Sequence, residues 1–153
     1  MFVLGFTNEI AFSYGEQVLI GEIHINSFSE SFHSPISYWN RSEYLSQWRS
    51  GFNEIISGKK KTAIVTSMYD PTSANFIVIW PLYLVGKDVF IRNRILFIED
   101  LKEPFNEAKL SSYIDDRETI DEDGEVISEW KVSVSDIHRV LASLDKGIDK
   151  GID

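Results

Sequence analysis

The sequence predicts an α+β fold: a largely antiparallel sheet of about six to eight strands, packed by one long helix and a short C-terminal helix. Three observations favour this class: short strand-like runs separated by turn residues, one segment with helical apolar spacing, and a 43% hydrophobic share in 153 residues. That length is typical of one domain with its own core. We expect one domain over residues 1–144 and a disordered tail over 145–153, where apolar residues are sparse.

The first third of the chain has the pattern of strands. Apolar runs at Phe2–Phe6 and Gln17–Ile25 flank a turn at Tyr14–Glu16. A third strand is expected over Phe28–His33, ending before Pro35. Glu22 shares one face of the second strand with Val18 and Ile20, so that face is partly polar, which predicts an antiparallel sheet.

Residues Ser42–Ser57 have the clearest pattern in the chain. Asn40 or Ser42 can cap the start of a helix here, and Gly58 can take the left-handed position after its end. The apolar residues recur at helical spacing and form one stripe: Tyr44, Leu45, Trp48, Phe52, Ile55 and Ile56. The pattern predicts a helix with Trp48 in the core.

Three further strands are expected in the middle of the chain, over Thr62–Met68, Asn75–Val85 and Asp88–Ile98. The last two form a hairpin around Gly86-Lys87. Pro81 has no N–H to donate to a sheet, so it predicts a bulge, an edge or a break after Trp80.

The last third of the chain predicts a hairpin and a helix. Strands over Arg117–Ile120 and Glu125–Val134 bracket the acidic turn at residues 121–124. A helix follows over Asp136–Leu144, with Ser135 as its cap.

The charge of the chain is concentrated in one place. The net charge is −9, and between Glu99 and Glu129 twelve acidic residues face three basic ones, which accounts for all of it. We call residues 99–129 the acidic segment. Its field repels phosphate backbones and anionic membranes and attracts cations or basic proteins, so we expect no direct binding of nucleic acid or membrane. The alternative is a solvated segment that only keeps the protein soluble.

Residue patterns typical of catalysis are missing. There is no cysteine, no phosphate-binding glycine loop and no nucleophile motif, and His24, His33 and His138 lack metal-ligand spacing. We therefore expect no catalytic residue, no metal and no cofactor. The rival hypothesis is a small enzyme that uses a histidine or a carboxylate pair formed by Glu22 and Glu30. The N-terminus has no signal-peptide pattern and no apolar run spans a membrane, which favours a cytoplasmic location.

Several short motifs, in order, carry a resemblance to a known family over residues 17–138. These motifs are Ser37-Tyr-Trp39, Glu43-Tyr44, Gln47-Trp48, Gly58, Val65–Pro71, Ala74-Asn75-Phe76, Trp80–Tyr83, Pro104-Phe105, Arg117-Glu118-Thr119, Asp123-Gly124 and Ile127–Trp130. Their order and spacing resemble the immunity proteins of bacterial contact-dependent growth inhibition systems.

The resemblance implies an inhibitor and not an enzyme. Such a protein resides in the bacterial cytoplasm and binds the C-terminal toxin domain of a matching large exoprotein delivered by a neighbouring cell. Many of these toxins are nucleases, which present basic clefts to their polyanionic substrates. We therefore expect a basic toxin domain as the partner, bound one to one. The alternative is an intracellular adaptor or regulatory domain that docks through the acidic hairpin.

Two regions are candidates for contact with the toxin. The turn at Tyr69 and Asp70 is one. The other comprises the carboxylates of the acidic segment, where a hairpin would project several side chains together: Asp115, Asp116, Glu118, Asp121, Glu122, Asp123, Glu125 and Glu129.

Overall fold

Two antiparallel sheets and two helices make up the computed structural model, which describes residues 1–149, with side chains as far as Lys146. The first sheet has the order β1-β2-β3, formed by Phe2–Ser13, Glu16–Ile25 and Phe28–Pro35. A two-residue turn joins β1 to β2 through Tyr14 and Gly15, both with positive φ. The antiparallel α+β prediction is confirmed, but the strands are divided between two sheets.

The second sheet is built around one long central strand, β5. Its five strands are Lys61–Ser67 (β4), Phe76–Val85 (β5), Asp88–Ile91 (β6), Arg94–Phe97 (β7) and Trp130–Ser133 (β8). Strand β4 pairs with one side of β5, β6 and β7 pair with the other side, and β8 pairs with β6.

Helix α1 runs over Arg41–Ile56, one residue earlier at each end than predicted. Asn40 caps it, because its side chain accepts from the Glu43 N–H while the Glu43 carboxylate accepts from the Asn40 N–H. Gly58 takes the left-handed conformation after the end, with φ of 100°. The predicted stripe faces the core, and Trp48 has no exposed surface. Its indole N–H also donates to the Val65 carbonyl at 2.7 Å.

Pro81 lies inside β5 without breaking it. The Arg92 N–H donates to the Pro81 carbonyl at 3.0 Å, so the polar groups of Pro81 face the β6 and β7 side. The missing N–H faces the same side, because both groups of a residue point to one neighbour in an antiparallel pair. Of the bulge, edge or break predicted at Pro81, the edge and the break do not occur, because β5 is paired on both sides and continues to Val85. The interruption lies in the partner strand, at residues 92–93 between β6 and β7.

The hairpin predicted around the acidic turn is reduced to a single bridge between Ile120 and Val126. Both side chains are exposed, by 53% and 81%. Without an apolar face to bury, the flanking segments gain too little from sheet pairing to extend it. Much of the acidic segment is irregular, with 3-10 turns at Ile98–Asp100 and Glu107–Tyr113, and regular pairing resumes at Trp130.

Helix α2 runs over Val134–Asp149, so it begins earlier and ends later than predicted. Its cap is Ser133 and not Ser135, because the Ser133 hydroxyl accepts from the Asp136 N–H while the Asp136 carboxylate accepts from the Ser133 N–H. Residues 145–149, expected to be disordered, extend this helix, since adding residues to an existing helix costs little. Residues 150–153 of the predicted tail lie outside the described residues. Neither helix described here is long and apolar enough to span a membrane.

Helix α1 and the acidic segment both pack against β4, and they meet at a pocket lined by Gln47 and Glu54 of the helix and by Glu107 and Leu110 of the segment. A Cβ added to Gly51 of α1 would lie 3.2 Å from Ile64 Cγ2, so Ile64 faces the helix. Lys61 is three residues away on the same strand, and its side chain therefore points to the other face. There its ammonium group pairs with Asp116 at 2.9 Å.

Candidate functional site

The acidic segment is fastened to the second sheet by a few specific contacts. Leu110 and Ile114 are buried and anchor its middle, and the Tyr83 hydroxyl donates to the Asp115 carbonyl at 2.9 Å. An open cleft of about 680 Å³ remains between the segment and the strands. Both cations and carboxylates line it, including Arg92, Arg94 and Glu118. The segment is therefore held in a defined place although little of it is regular.

Glu129 forms the ionic centre of this attachment. Its carboxylate pairs with Arg92 at 2.9 Å and with Arg117 at 2.5 Å, and only 14% of its side chain is exposed. Each guanidinium also lies over an aromatic ring, Arg92 over Tyr83 at 4.9 Å and Arg117 over Phe90 at 3.8 Å. Burial acts to raise the pKa of Glu129, but the hydrogen bonds and charges of Arg117 and Arg92 outweigh it and hold that pKa below its usual value. This carboxylate is already satisfied within the chain.

Asp115 and Asp116 lie at the solvent side of the cleft with cations beside them. Asp116 pairs with Lys61 at 2.9 Å, and Asp115 lies 3.9 Å from Arg94. The hydrogen bond and charge of Lys61 lower the pKa of the Asp116 carboxyl. Because these side chains are 95% and 89% exposed, water screens both pairs, and the carboxylates remain accessible to another protein.

The tip of the segment is a tight acidic turn. One Asp121 carboxylate oxygen accepts from the Asp123 N–H at 2.9 Å and the Glu125 N–H at 3.0 Å, and Gly124 supplies the positive φ of 81°. Glu122, Asp123 and Glu125 are exposed there, and Glu118 is exposed nearby. Within residues 1–149, none of these four carboxylates takes part in an ion pair. The tip therefore presents uncompensated negative charge to solvent.

The second predicted region, at Tyr69 and Asp70, is separate from the cleft. The Asp70 carboxylate accepts from the Thr72 N–H and hydroxyl at 3.0 and 2.7 Å, which shapes the turn and lowers the pKa of that carboxyl. Tyr69 is half-buried, with its ring edge against Phe76 at 5.7 Å between centroids. It lines a different groove, shared with Tyr14 and not with any residue of the acidic segment.

The sequence predicted Tyr69 as a contact residue but did not predict the groove around it. The groove is open, has a volume of about 580 Å³, and lies where the β1–β2 turn, β3 and the loop before β5 meet. Tyr14, Tyr69 and Phe76 give it an aromatic lining, with Glu16 beside them. The available signal was Tyr14 itself, a large side chain placed at a turn position that small or polar residues usually occupy.

The carboxylate pair proposed for an enzyme is not formed. Ile23 and not Glu22 lies opposite Glu30, so the two glutamates point to different faces of the first sheet. His24 lies 3.6 Å from Glu22 on β2, His33 is on β3 and His138 is exposed on α2. No group of three potential metal ligands occurs among the residues described.

Comparison with known proteins gives a consistent match. A family model for the CdiI N-terminal domain matches residues 34–140. The immunity protein CdiI of Enterobacter cloacae subsp. cloacae is 34% identical over 131 residues, which cover 86% of this chain and 90% of that protein. One chain of the CdiA-CT/CdiI toxin and immunity complex from Enterobacter cloacae superposes with a TM-score of 0.87 and 33% identity, over 95% of this chain and 99% of that chain.

The family model spans most of the chain and includes both helix α1 and the acidic segment. The relative and the solved structure extend the agreement to nearly the whole length. The resemblance found in the sequence is thereby confirmed, and the chain belongs to the CdiI family of immunity proteins.

Proposed function

We propose that this chain neutralises a toxin by binding, one to one, the C-terminal toxin domain of a large exoprotein in the bacterial cytoplasm. The observation that carries the proposal is the structural similarity to a chain of a toxin and immunity complex at 33% identity over 95% of this chain. A fold and length shared to this extent support a shared mode of action, since the exposed surfaces are then built on the same scaffold.

The mode of action we propose is inhibition without catalysis. The Glu22 and Glu30 side chains do not meet, and the family is one of immunity proteins. Inhibition by stoichiometric binding needs affinity and a long residence time, both of which a fixed surface with a few strong anchors supplies.

The acidic segment is the surface we propose for the first encounter with the toxin. A toxin that is a nuclease must hold phosphates with cationic side chains, and a carboxylate surface can occupy the same cleft. The exposed carboxylates of the segment are suited to this role: Asp115, Asp116, Glu118, Asp121, Glu122, Asp123 and Glu125. Glu129 differs, because its carboxylate is bound by Arg92 and Arg117. Its role is to position the others.

The experiment first identifies a large exoprotein gene immediately upstream of the gene for this chain and then coexpresses the C-terminal domain of that exoprotein with the chain. We expect the tagged chain to copurify with that domain in a one-to-one complex and to protect cells that express it. Coexpression with the CdiA-CT toxin domain of Enterobacter cloacae is the matched control, which tests whether the chain is specific for the domain encoded upstream. Absence of both a complex and protection with the upstream domain would refute the proposed function.

A further inference from the structure

The groove between β3 and the loop before β5 is held open by contacts between the two sheets. The Tyr44 hydroxyl donates to the Pro35 carbonyl at 2.7 Å and accepts from the Met68 N–H at 2.9 Å. Ser67 adds a hydrogen bond from its hydroxyl to the His33 carbonyl at 2.9 Å. The floor therefore joins the end of β3 to the end of β4, and the groove does not depend on a ligand to form.

The aromatic side chains at this groove are more exposed than packing explains. The Tyr14 side chain is fully exposed, and its backbone has φ of 51°, in the left-handed region that favours Gly, Asn or Asp. Phe76 is 37% exposed, and Tyr69 packs its ring against it. Tyrosine is one of the residues that most often anchor protein interfaces, because a rigid ring and a hydroxyl are presented together.

The ionisable lining of the groove includes one carboxylate, Glu16, and one imidazole, His33. No lysine or arginine of the described chain lines it. Within residues 1–149 Glu16 forms no ion pair, and its hydrogen bond from the Ser37 hydroxyl is long, at 3.4 Å. Burial raises the pKa of the Tyr69 hydroxyl, and the Glu16 carboxylate raises it further. The groove therefore combines electron-rich ring faces with a carboxylate that lacks a cation.

We propose that this groove binds an arginine or lysine side chain of the toxin domain, a proposal that rests on the function proposed above. The cation pairs with Glu16 and lies against the rings of Tyr14 and Tyr69, where the negative ring faces attract it. The groove and the acidic segment then have different tasks. Exposed carboxylates on the segment speed the encounter, whereas the partly enclosed cation in the groove slows dissociation.

The two surfaces can be tested separately. Phe76, at the groove, and Tyr83, at the acidic cleft, are seven residues apart on β5, roughly 23 Å for an extended strand. Substitutions that far apart usually act independently. Tyr14→Asn suits the left-handed backbone, and Glu16→Gln keeps a side-chain oxygen for the Ser37 hydroxyl. Neither is expected to disturb folding.

The experiment measures binding of each variant to the upstream exoprotein's C-terminal domain by surface plasmon resonance. We expect each substitution to raise the dissociation rate constant about fivefold or more, with the association rate constant within about twofold. Two controls lie on the same hairpin outside the groove: Phe12→Asn, which removes a 78% exposed aromatic, and Glu9→Gln, which removes an exposed carboxylate. Both control variants should have the same dissociation rate constant as the wild type.

Three outcomes would overturn the inference, and they are distinguishable. If the wild type binds and both groove variants dissociate at its rate, the groove lies outside the interface. If Tyr14→Asn raises the dissociation rate constant and Glu16→Gln leaves it unchanged, the side chain that occupies the groove is not a cation. If the wild-type chain itself fails to bind the toxin domain, the proposed function falls and this inference falls with it.

Discussion

Helix α1 and the acidic segment both pack against β4 of the second sheet, and they do so by different means. The helix buries a continuous apolar stripe, in which Tyr44, Trp48 and Phe52 have no exposed surface. The acidic segment fully buries only Leu110 and Ile114, while Leu101, Phe105 and Tyr113 pack partly against the core. Its polar attachments include the ion pairs of Glu129 and Asp116 and the hydrogen bond from the Tyr83 hydroxyl. The helix supplies a large hydrophobic stabilisation, and the segment combines a smaller apolar contact with a few directed polar contacts.

The difference separates stability from recognition. Apolar burial is non-directional and stabilises the fold whatever the chain binds. Directed contacts leave most of the carboxylates in solvent while fixing where they point, so surface charge can vary without loss of the core. On this account, substitutions on the α1 face change the free energy of unfolding, and substitutions of the exposed carboxylates change binding alone.

The largest effect is expected at Trp48. Trp48→Ala leaves a cavity beside β4 and removes the hydrogen bond to the Val65 carbonyl, so the free energy of unfolding should fall by about 3–5 kcal/mol. Urea denaturation followed by circular dichroism measures it. Ser50→Ala, on the exposed side of the same helix, controls for changes in helix propensity. An unchanged transition in Trp48→Ala would contradict the account of the core.

An intermediate effect is expected at Glu129. Glu129→Gln leaves Arg92 and Arg117 without their shared carboxylate, which should cost about 2 kcal/mol in the free energy of unfolding. Glu125→Gln is the matched control, because that carboxylate is exposed in the same segment and forms no ion pair within residues 1–149. Equal urea midpoints for the two variants would show that the ionic centre does not hold the segment in place.

The same ion pairs predict a dependence on pH. The pKa of Glu129 is lower in the folded chain than its usual 4.5, so its contribution to stability is complete above that value. The contribution is lost as the pH falls through the lower, folded pKa. The difference in stability between the wild type and Glu129→Gln should therefore shrink below about pH 4.5. If the difference in stability between the wild type and Glu129→Gln stays constant down to pH 3, it does not arise from the ionised Glu129 carboxylate.

The smallest effect on stability is expected at Asp116. Its ion pair with Lys61 is as short as the pair between Arg92 and Glu129, but its side chain is 95% exposed. Water screens such a pair, and ordering two mobile side chains offsets the attraction. Asp116→Asn should leave the urea midpoint unchanged. A loss of stability as large as that of Glu129→Gln would show that the exposed Asp116 carboxylate also holds the segment in place.

The elements with a clear periodicity were predictable from the sequence. Helix α1 differs from its predicted bounds by one residue at each end, because the apolar spacing, Asn40 and Gly58 all indicate the same helix. The prediction of an acidic hairpin was wrong, because the alternation of apolar and polar residues around a turn does not reveal whether one face of the strands is buried. Pro81 was expected to mark a bulge, an edge or a break, but the interruption lies in the partner strand, since the sequence does not show which neighbour the missing N–H would face.

The candidate site was predictable only in part. The concentration of acidic residues between Glu99 and Glu129 is visible in the sequence. The ion pairs that neutralise some of these carboxylates in the folded chain are not. Arg92 is 37 positions from Glu129, so only the folded chain brings the two together. The groove at Tyr14 and Tyr69 joins residues from separate strands and loops, so the sequence indicated Tyr69 but not the groove around it.

The most direct test of the central claim is the rate at which the acidic tip captures a toxin. A variant with Asp121→Asn, Glu122→Gln and Asp123→Asn would be compared with the wild type by surface plasmon resonance against the upstream exoprotein's C-terminal domain, at 50 and 500 mM salt. We predict an association rate constant about tenfold lower at low salt, a difference that narrows at high salt, and an unchanged dissociation rate constant. Both rate constants within about twofold of the wild type at both salt concentrations would contradict the claim.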